Sequence, residues 1–246
     1  MSDIQIQIDN KTYADKNHPD CFHQAIAELN ITLHEHEFVC LVGPSGCGKT
    51  TLLNIIAGLD ADFDGRIQLS DRHSAKIGYV FQNPRLLPWR TVRQNIELAC
   101  QLPLDASVLD DLLDIMELSR VQHAYPQQLS LGMSRRVAIL RAFAIQPDLL
   151  LMDEPFVSLD APTARNVREL LMKLWRQRPH TVLFVTHDLR EAIALADRIV
   201  FLSRPPMQVV GEVNITLTAE QRLKEEDIDT FRQQLLQQHP TIAELL

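Results

Sequence analysis

The sequence predicts an α/β fold built around a mostly parallel sheet, and three observations support this prediction. The 246 residues are 46% hydrophobic, which is enough to bury the core of one sizeable domain. Short apolar runs typical of buried strands alternate with helical patterns along the chain. A glycine-rich turn joins one such run to a helical pattern, as expected where a parallel strand leads into a helix. We therefore expect one domain with an inserted subdomain, and not two unrelated domains.

The strand predictions rest on alternation and on continuous apolar runs. Ile4, Ile6 and Ile8 alternate with polar residues, which indicates a half-buried strand. The run Phe38–Val42 is entirely apolar, which is typical of a central buried strand, and a helix is predicted to follow from residue 49 to about 57. Four further runs have the composition of strands, at residues 76–81, 149–152, 181–185 and 198–202.

A helical stretch interrupts this alternation over residues 84–147. No strand signal occurs there, and four apolar residues recur at helical spacing, namely Leu109, Leu112, Leu113 and Met116. The prediction is a core of residues 1–83 and 148–204 into which this helical subdomain is inserted. Residues 205–246 are predicted to form a tail without a long regulatory domain, with a hairpin-like stretch at 208–217 and then a polar helix.

Charge and composition exclude several classes of function. The formal net charge is -8 and the isoelectric point is about 5.6, whereas nucleic-acid-binding surfaces usually carry a basic stripe, so no nucleic-acid partner is expected. No apolar run approaches the roughly 20 residues that cross a bilayer, and the amino terminus lacks a signal-peptide core, so the chain itself is expected to be neither exported nor membrane-spanning. The four cysteines form no CxxC pair, which favours reduced thiols and a cytoplasmic location.

The strongest local signal is the glycine-rich segment GPSGCGKT at residues 43–50. It matches the pattern G-x-x-x-x-G-K-[ST] between a predicted strand and a predicted helix, and this context disfavours a chance glycine-rich turn. The glycines let successive N–H groups point at one anion, Lys49 reaches the β- and γ-phosphates, and Thr50 supplies a hydroxyl to Mg2+. A P-loop NTPase core is therefore predicted, with a nucleotide-binding segment made of Gly43, Pro44, Ser45, Gly46, Cys47, Gly48, Lys49, Thr50 and Thr51.

Two neighbouring carboxylates follow the apolar run at residues 149–152. Asp153 comes at the carboxyl end of a predicted strand, where the ligands of open α/β sheets gather, and is a candidate for holding Mg2+ directly or through water. Glu154 is a candidate general base that orients or deprotonates the attacking water. The alternative is that both residues only open a turn before Pro155.

His187 and Gln82 are expected at the same edge of the sheet. His187 follows the predicted strand at 181–185, so its imidazole can reach the γ-phosphate or the attacking water. Gln82 follows the predicted strand at 76–81, and its amide can sense Mg2+ or water. Taken singly, a histidine is more often structural and a glutamine more often without function, so both assignments depend on position.

Taken in this order, the motifs resemble those of the nucleotide-binding subunits of ABC transporters, from about Ile4 to Val213. The deciding segment is LSLGMSRR at residues 129–136, which is similar to the LSGGQ signature of that family and whose Ser130 stands 23 positions before Asp153 (153 − 130). The resemblance implies a RecA-like P-loop NTPase core with a mostly parallel sheet, an N-terminal antiparallel β portion and an inserted α-helical subdomain. It also implies ATP and Mg2+ as ligands.

The resemblance assigns roles to residues whose individual signals are weak. In this family two subunits enclose two ATP molecules head to tail, so Ser130 and Gly132 are expected to contact the γ-phosphate that is bound by the partner's Lys49. A monomer is therefore expected to hydrolyse ATP poorly. The other functional positions of the family fall on Gln82 (the Q-loop), residues 158–160 (the D-loop, which crosses the dimer interface) and His187 (the switch histidine).

The chain departs from the family pattern in the signature and near the amino terminus. Leu131 replaces the first glycine of the signature and Met133 replaces its glutamine. A leucine is expected to restrict the backbone and to slow or retune hydrolysis. The aromatic residue that stacks on adenine is either Tyr13 or Phe22, because the segment at residues 16–21 is lengthened, and Tyr13 is preferred.

The stretch NPRLLPWRTVRQNI at residues 83–96 resembles the subfamily that imports nitrate, sulfonates, taurine and pyrimidine precursors of thiamine. This implies a homodimer of ATPase subunits on two integral membrane permease subunits, peripheral on the cytoplasmic face of the inner membrane, with a solute-binding protein outside. Leu87, Pro88 and Trp89 are then candidates for the socket that receives a coupling helix of the permease. Ordinary packing of this loop against the helical subdomain is an equally open alternative.

Three other functions compete with an importer ATPase. A soluble ABC ATPase acting on DNA or ribosomes is disfavoured because the chain has no long coiled-coil heptads, no second P-loop cassette and no basic face. A degenerate subunit that binds ATP without hydrolysing it is suggested by Leu131 and Met133, but the intact phosphate loop, carboxylates and His187 count against it. An exporter ATPase is the nearest competitor, and the Pro-Trp run with the proline-containing tail favours import.

Overall fold

The computed structural model describes residues 3–14, 22–69, 75–100 and 105–245. The chain divides into two compact units, a first unit of Met1–Ser74 with Thr181–Leu246 and a second unit of Ala75–His180. The subdivision at residues 84, 147 and 204 stays a prediction. Nowhere in the described ranges is a helix both long enough and apolar enough to cross a bilayer.

The strands predicted from continuous apolar runs, and the helix predicted from residue 49, are found close to their predicted ends among the following elements. The strands are β1 (Ile4–Ala14), β2 (Phe22–Leu33), β3 (Phe38–Val42), β4 (Asp64–Gln68), β5 (Ile77–Val80), β6 (Leu149–Asp153), β7 (Thr181–Thr186), β8 (Arg198–Leu202) and β9 (Val209–Asn214). The helices are α1 (Lys49–Ile56), α2 (Val92–Glu97), α3 (Ala106–Ile115), α4 (Leu131–Ala144), α5 (Ala161–Gln177), α6 (Leu189–Leu195), α7 (Glu225–Gln238) and α8 (Pro240–Ala243).

The first unit begins with a three-stranded antiparallel sheet in the order β2-β1-β4. Ile4, Ile6 and Ile8 are buried while the residues between them are exposed, which confirms the predicted half-buried strand. In register, Ile6 pairs with Ile31 of β2 and with Ile67 of β4. β2 and β4 were not predicted as individual strands; β2 carries an alternating signal at Leu29, Ile31 and Leu33 that was missed, whereas β4 has a single buried residue.

The rest of the first unit is a sheet in which β3 runs parallel to β7 on one side and to β8 on the other. Every residue of these three strands is buried, which explains why they are continuous apolar runs in the sequence. β9 pairs antiparallel with β8. The stretch at 208–217 therefore supplies one strand of a hairpin whose other strand is β8, and the prediction of a hairpin within that stretch is wrong.

The second unit contains the parallel pair β5-β6 and the helices α2 to α5. Within its described residues no strand interrupts the stretch from residue 84 to 147, as predicted. Four predicted apolar positions are buried, Leu109, Leu112, Leu113 and Met116. α5 is amphipathic and buries a stripe at helical spacing, formed by Ala164, Val167, Leu170, Leu171 and Leu174.

Arg198 joins several segments of the first unit through its guanidinium. Its Nε and Nη2 donate to the two carboxylate oxygens of Glu37 at 2.7 and 2.9 Å, Nη1 donates to Glu212 at 2.6 Å, and Nη2 also donates to the Thr32 carbonyl at 2.6 Å. Burial raises the pKa of Glu37, but the hydrogen bonds from Arg198 and from the His34 amide outweigh it, so the pKa is lowered. The network connects β2, β8, β9 and the entry to β3.

We expect Arg198→Met to lower the free energy of unfolding by about 3 kcal/mol, because it leaves the largely buried Glu37 carboxylate without its bidentate donor. A lowered folded-state pKa means that the stabilisation by Glu37 is present above its unfolded-state pKa and is lost as the pH falls through the folded-state pKa. The difference between wild type and variant should therefore shrink on acidification, as measured by urea unfolding at neutral and acidic pH. The control Arg165→Met breaks an exposed pair with Glu169 and should cost less than about 1 kcal/mol. Equal losses in the two variants contradict this prediction.

Candidate functional site

The phosphate loop passes from β3 to α1 through left-handed backbone. Gly46 and Gly48 have φ angles of 78° and 114°, and Gly48 directly precedes α1. No atom lies within 4 Å of the position that a Cβ would take at Gly46, so the loop is open on that side. α1 has no acidic residue in its first turn, so its amino end keeps its partial positive charge. The segment is a cradle for an anion.

Lys49 lies across this cradle. Its side chain is buried, and Nζ donates to the carbonyls of Gly43 at 2.8 Å and Pro44 at 2.9 Å. Cys47 is buried beneath the loop with its Sγ 3.9 Å from Met207 Sδ. Phosphate oxygens bind an ammonium group more strongly than neutral carbonyls do, so an anion in the loop can take over these contacts. The loop residues that face solvent are Ser45, Gly46 and Thr50.

The two candidate adenine-stacking residues lie at the ends of neighbouring strands. Tyr13 is near the end of β1, and its hydroxyl is 3.3 Å from Thr51 Oγ1 and 3.2 Å from Asp60 Oδ2. Phe22 begins β2, pairs in register with Ala14 and is exposed. The lengthened segment at residues 16–21 lies outside the described residues. The contact with Thr51 connects Tyr13 to the helix that follows the phosphate loop, which favours Tyr13 over Phe22.

His187 lies in a tight connection between β7 and α6. Thr186 Oγ1 accepts from the Asp188 amide at 3.0 Å and donates to Glu191 at 2.8 Å. The Asp188 carboxylate caps α6 by accepting from the Arg190 amide at 2.8 Å. These bonds fix the backbone on both sides of His187, whose exposed side chain borders a cleft of about 430 Å³. The imidazole is thus presented to solvent from a rigid connection.

In the second unit, β6 ends in a sharp turn that carries both predicted carboxylates. Asp153 is the last residue of β6 and is buried; burial and the charge of Asp153 both raise the pKa of Tyr79. Glu154 has a φ angle of 43°, a left-handed conformation that costs a non-glycine residue about 1 to 2 kcal/mol. The Val157 amide closes the turn on the Glu154 carbonyl at 3.2 Å. Ser158, in the same segment, also has a left-handed backbone with a φ angle of 66°. The role of Glu154 as the base stays a prediction.

Gln82 follows β5 with an exposed side chain, and two arginines of α4 hold the backbone of residues 82–85. Arg135 donates to the Gln82 carbonyl and, at 3.3 Å, to the Val157 carbonyl. Arg141 donates to the carbonyls of residues 84 and 85 at 2.8 and 2.9 Å. Burial lowers the pKa of both guanidiniums. These contacts were not predicted; the available signal was the three arginines of α4, which stand in a largely apolar helix, since buried charges need acceptors.

The signature segment forms the start of α4, and its serine caps the helix. Ser130 Oγ accepts from the Met133 amide at 3.2 Å. A glutamine at the position of Met133 could complete a capping box, so this helix start has only one of the two reciprocal bonds. Leu131 is the first helical residue and its side chain is exposed. Leucine adopts a helical backbone readily, so Leu131 fits the start of α4, and its effect on hydrolysis stays a prediction.

Gly132 packs directly against α5. A Cβ at Gly132 would lie 2.6 Å from Thr163 Cγ2, which is closer than packed side-chain carbons approach. The Thr163 amide donates to the carboxylate of Asp160 at 2.8 Å; this bond caps α5 and lowers the pKa of Asp160. Gly132 of the signature segment and Asp160 of the predicted D-loop therefore both contact Thr163, in the first turn of α5. This connection was not predicted.

The oxygen donors suit a Mg2+ ion that is shared with phosphates. Each unit offers separate oxygens: the exposed Thr50 hydroxyl in the first, and the Asp153 carboxylate and the exposed Gln82 amide in the second. Among the described side chains, no group of three or more His, Cys, Asp or Glu could hold a metal ion. Mg2+ usually takes one or two carboxylates and completes its shell with phosphates and water, so the single Asp153 carboxylate of the second unit fits such an ion.

Replacing Gly132 by Ala should destabilise the protein by about 1 to 3 kcal/mol, because the new methyl group overlaps the Thr163 methyl. The double variant Gly132→Ala/Thr163→Ser removes that methyl but keeps the hydroxyl, and should recover most of the loss. Urea unfolding measures both effects, with Thr163→Ser alone as the control for the second change. A Gly132→Ala variant as stable as wild type contradicts the contact.

Known proteins agree with this arrangement. The family profile described as ABC transporter matches residues 26–157. The aliphatic sulfonates import ATP-binding protein SsuB of Bacillus licheniformis is 39% identical over 222 residues, covering 88% of this chain and 87% of that protein. The nitrate import ATP-binding protein NrtD of Synechococcus elongatus is 42% identical over 200 residues, covering 77% of this chain and 73% of that protein.

A solved structure extends the agreement to the fold. It is the dimeric structure of a post-hydrolysis state of the ATP-binding cassette MJ0796 bound to ADP and Pi, with a TM-score of 0.74 and 31% sequence identity, covering 87% of this chain and 100% of that chain. The α/β fold with a P-loop NTPase core is thereby established. On the family profile and on these relatives, the chain belongs to the ABC transporter family.

Proposed function

We propose that this chain is the ATP-binding and ATP-hydrolysing subunit of an importer for a small solute of the sulfonate or nitrate class. The observation that carries this proposal is the cradle of Gly43–Thr50 with Lys49 held across it by two carbonyls. The relatives named above are import ATP-binding proteins for aliphatic sulfonates and for nitrate, which supports the direction of transport and the class of solute. Taurine and pyrimidine precursors of thiamine belong to the same proposed range.

Some residues of the proposed site bind ATP, and others take part in its hydrolysis. The amides of the phosphate loop and Lys49 bind the phosphates, with Thr51 beside them and Tyr13 stacked on the adenine. Glu154 orients and deprotonates the attacking water, and His187 stabilises the γ-phosphoryl group while water attacks it and ADP leaves. Thr50, Asp153 and Gln82 are the residues that would hold Mg2+, which would neutralise phosphate charge when bound.

Two copies of the chain form the working enzyme in this proposal. Ser130 and Gly132 stand at the start of α4, where the helix presents its amino end, and Ser130 is exposed. We assign them to the γ-phosphate of the ATP that is bound by the partner's phosphate loop. The dimeric MJ0796 cassette supports pairing of two copies. Asp160 and the rest of the predicted D-loop then lie at the interface between the copies.

The membrane partner is an integral permease, and the chain acts peripherally on the cytoplasmic face of the inner membrane. The surface proposed for this contact contains Leu87, Pro88 and Trp89, which follow Gln82 closely in sequence. Trp89 is 67% exposed, which leaves its indole accessible to a partner, and tryptophan is enriched at protein interfaces. A solute-binding protein outside the membrane completes the assembly. The exporter, soluble and degenerate alternatives have no support from the import names of the relatives.

Lys49→Ala should abolish Mg2+-dependent ATP hydrolysis, and Glu154→Gln should lower kcat by at least about 100-fold while ATP still binds, because only the water-activating carboxylate is lost. Phosphate release and equilibrium ATP binding measure the two effects. Glu169→Gln, on an exposed face of α5, is the matched control and should hydrolyse ATP normally. Full turnover by Glu154→Gln would show that the assignment of the base is wrong.

Tagged wild-type chain should recover a multi-span permease from gently solubilised membranes, and Trp89→Ala should recover roughly tenfold less, since a buried aromatic anchor commonly carries more than 1 kcal/mol of binding. Mass spectrometry identifies the recovered proteins. Leu223→Ala, an exposed apolar residue of the first unit, is the control and should recover the permease fully. Recovery of soluble partners alone from wild type argues for a soluble ABC ATPase, and unchanged recovery by Trp89→Ala argues against the socket.

A further inference from the structure

The Tyr13 ring has one face covered and one face open. Lys11 Nζ lies 4.6 Å from the ring centroid, in position for a cation–π contact. Lys11 is only 2% exposed, whereas Tyr13 is 42% exposed. The exposed surface of the ring therefore lies away from Lys11, on the side where a planar base can stack.

Asp60 holds both residues from the turn that follows α1. Its Oδ1 accepts from Lys11 Nζ at 3.0 Å, and its Oδ2 accepts from the Tyr13 hydroxyl at 3.2 Å. Lys11 Nζ also donates to the Asp62 carbonyl at 2.5 Å, which fixes the ammonium group from a second direction. Lys11, Asp60 and Tyr13 together are called the ring bracket below.

Within the ring bracket, the negative charge of Asp60 and the positive charge of Lys11 stabilise each other. Burial raises the pKa of Asp60, but the hydrogen bonds from Lys11 and from the Asp62 amide outweigh it and leave the pKa lowered. Burial lowers the pKa of Lys11, but the hydrogen bond to Asp60 and the negative charge of Asp60 leave it raised. Asp60 therefore stays ionised, and a carboxylate is the strongest acceptor available to the single hydroxyl proton of Tyr13.

We propose that Asp60 and Lys11 are positioning residues for nucleotide recognition, which hold the Tyr13 ring so that its open face stacks on the base of the bound nucleotide. This inference rests on the adenine-stacking role of Tyr13 in the proposed function. Without the ring bracket, an exposed tyrosine must be immobilised at the moment of binding, which weakens affinity by roughly three- to tenfold.

The ring bracket also connects the base to the phosphates. The Tyr13 hydroxyl is 3.3 Å from Thr51 Oγ1, and Thr51 lies in the first turn of the helix that follows the phosphate loop. The base-stacking ring and the phosphate cradle are therefore positioned relative to each other by side chains of the first unit. A ligand that has phosphates but no base gains nothing from the ring, and this difference provides the test.

The test measures binding of ATP and of inorganic tripolyphosphate to the full chain by calorimetry, in EDTA to prevent hydrolysis. Asp60→Asn and Tyr13→Phe should each weaken ATP binding by roughly three- to tenfold and leave tripolyphosphate binding within about twofold of wild type. Tyr13→Phe keeps the ring and the pair of Lys11 with Asp60, so it remains informative even if Asp60→Asn folds poorly. Asp9→Asn is the control, because it changes an exposed carboxylate of the same strand that accepts from Gln7 and lies outside the ring bracket; it should bind both ligands normally.

The outcomes separate the ring bracket from the role of Tyr13 itself. If Tyr13→Ala weakens ATP binding while Tyr13→Phe and Asp60→Asn match wild type, the ring bracket is overturned and the stacking role stands. If Tyr13→Ala binds ATP as wild type does, the stacking role and the ring bracket both fail. Equal weakening of ATP and tripolyphosphate binding in Tyr13→Phe also overturns the proposal, because the effect then lies in the cradle and not at the base.

Discussion

The phosphate loop depends on the burial of β3 between two parallel neighbours. β3 pairs with β7 and with β8, and all three strands are buried along their whole length. The carboxyl ends of parallel strands emerge at one edge of a sheet, so the loop after β3 and His187 after β7 leave the first unit on the same side. A segment rich in glycine has little conformational preference of its own. Its shape is imposed by the strand before it, the helix after it and the buried Cys47 beneath it.

Several residues of the proposed site also cap the amino end of a helix. Ser130 caps α4, Asp160 caps α5 and Asp188 caps α6 beside His187. A capping side chain satisfies backbone amides that have no partner within the helix, so removing it typically costs about 1 kcal/mol of stability. The proposed roles at phosphate or at a dimer interface are therefore carried by side chains whose positions are already determined by folding. Loss of activity in a variant of these residues has to be separated from loss of the helix start.

Buried cations connect loops to the body of each unit. Arg198 and Lys11 in the first unit reach carboxylates and carbonyls, and Arg135 and Arg141 in the second unit reach the carbonyls around Gln82. A buried charge is tolerated only when hydrogen bonds replace its water, so each of these side chains demands a defined arrangement of acceptors. The segments that supply the acceptors include the loop after β5 and the turn after α1. Polar contacts thus order the segments on which the proposed site depends, whereas apolar packing orders the strands.

The sequence by itself determined the buried strands, the phosphate loop and the family, because continuous apolar runs and a glycine-rich motif are local patterns that can be read without the fold. It also indicated Asp153, Glu154, Gln82 and His187, since each lies one or two positions after a predicted strand. Their catalytic roles stay predictions. Only the tertiary structure decided which segments pair with β1, that β9 pairs with β8, and that Lys11 and Asp60 meet at the Tyr13 ring. Those contacts join residues up to tens of positions apart in the chain, and their energy comes from hydrogen bonds and buried charges whose partners no local pattern specifies.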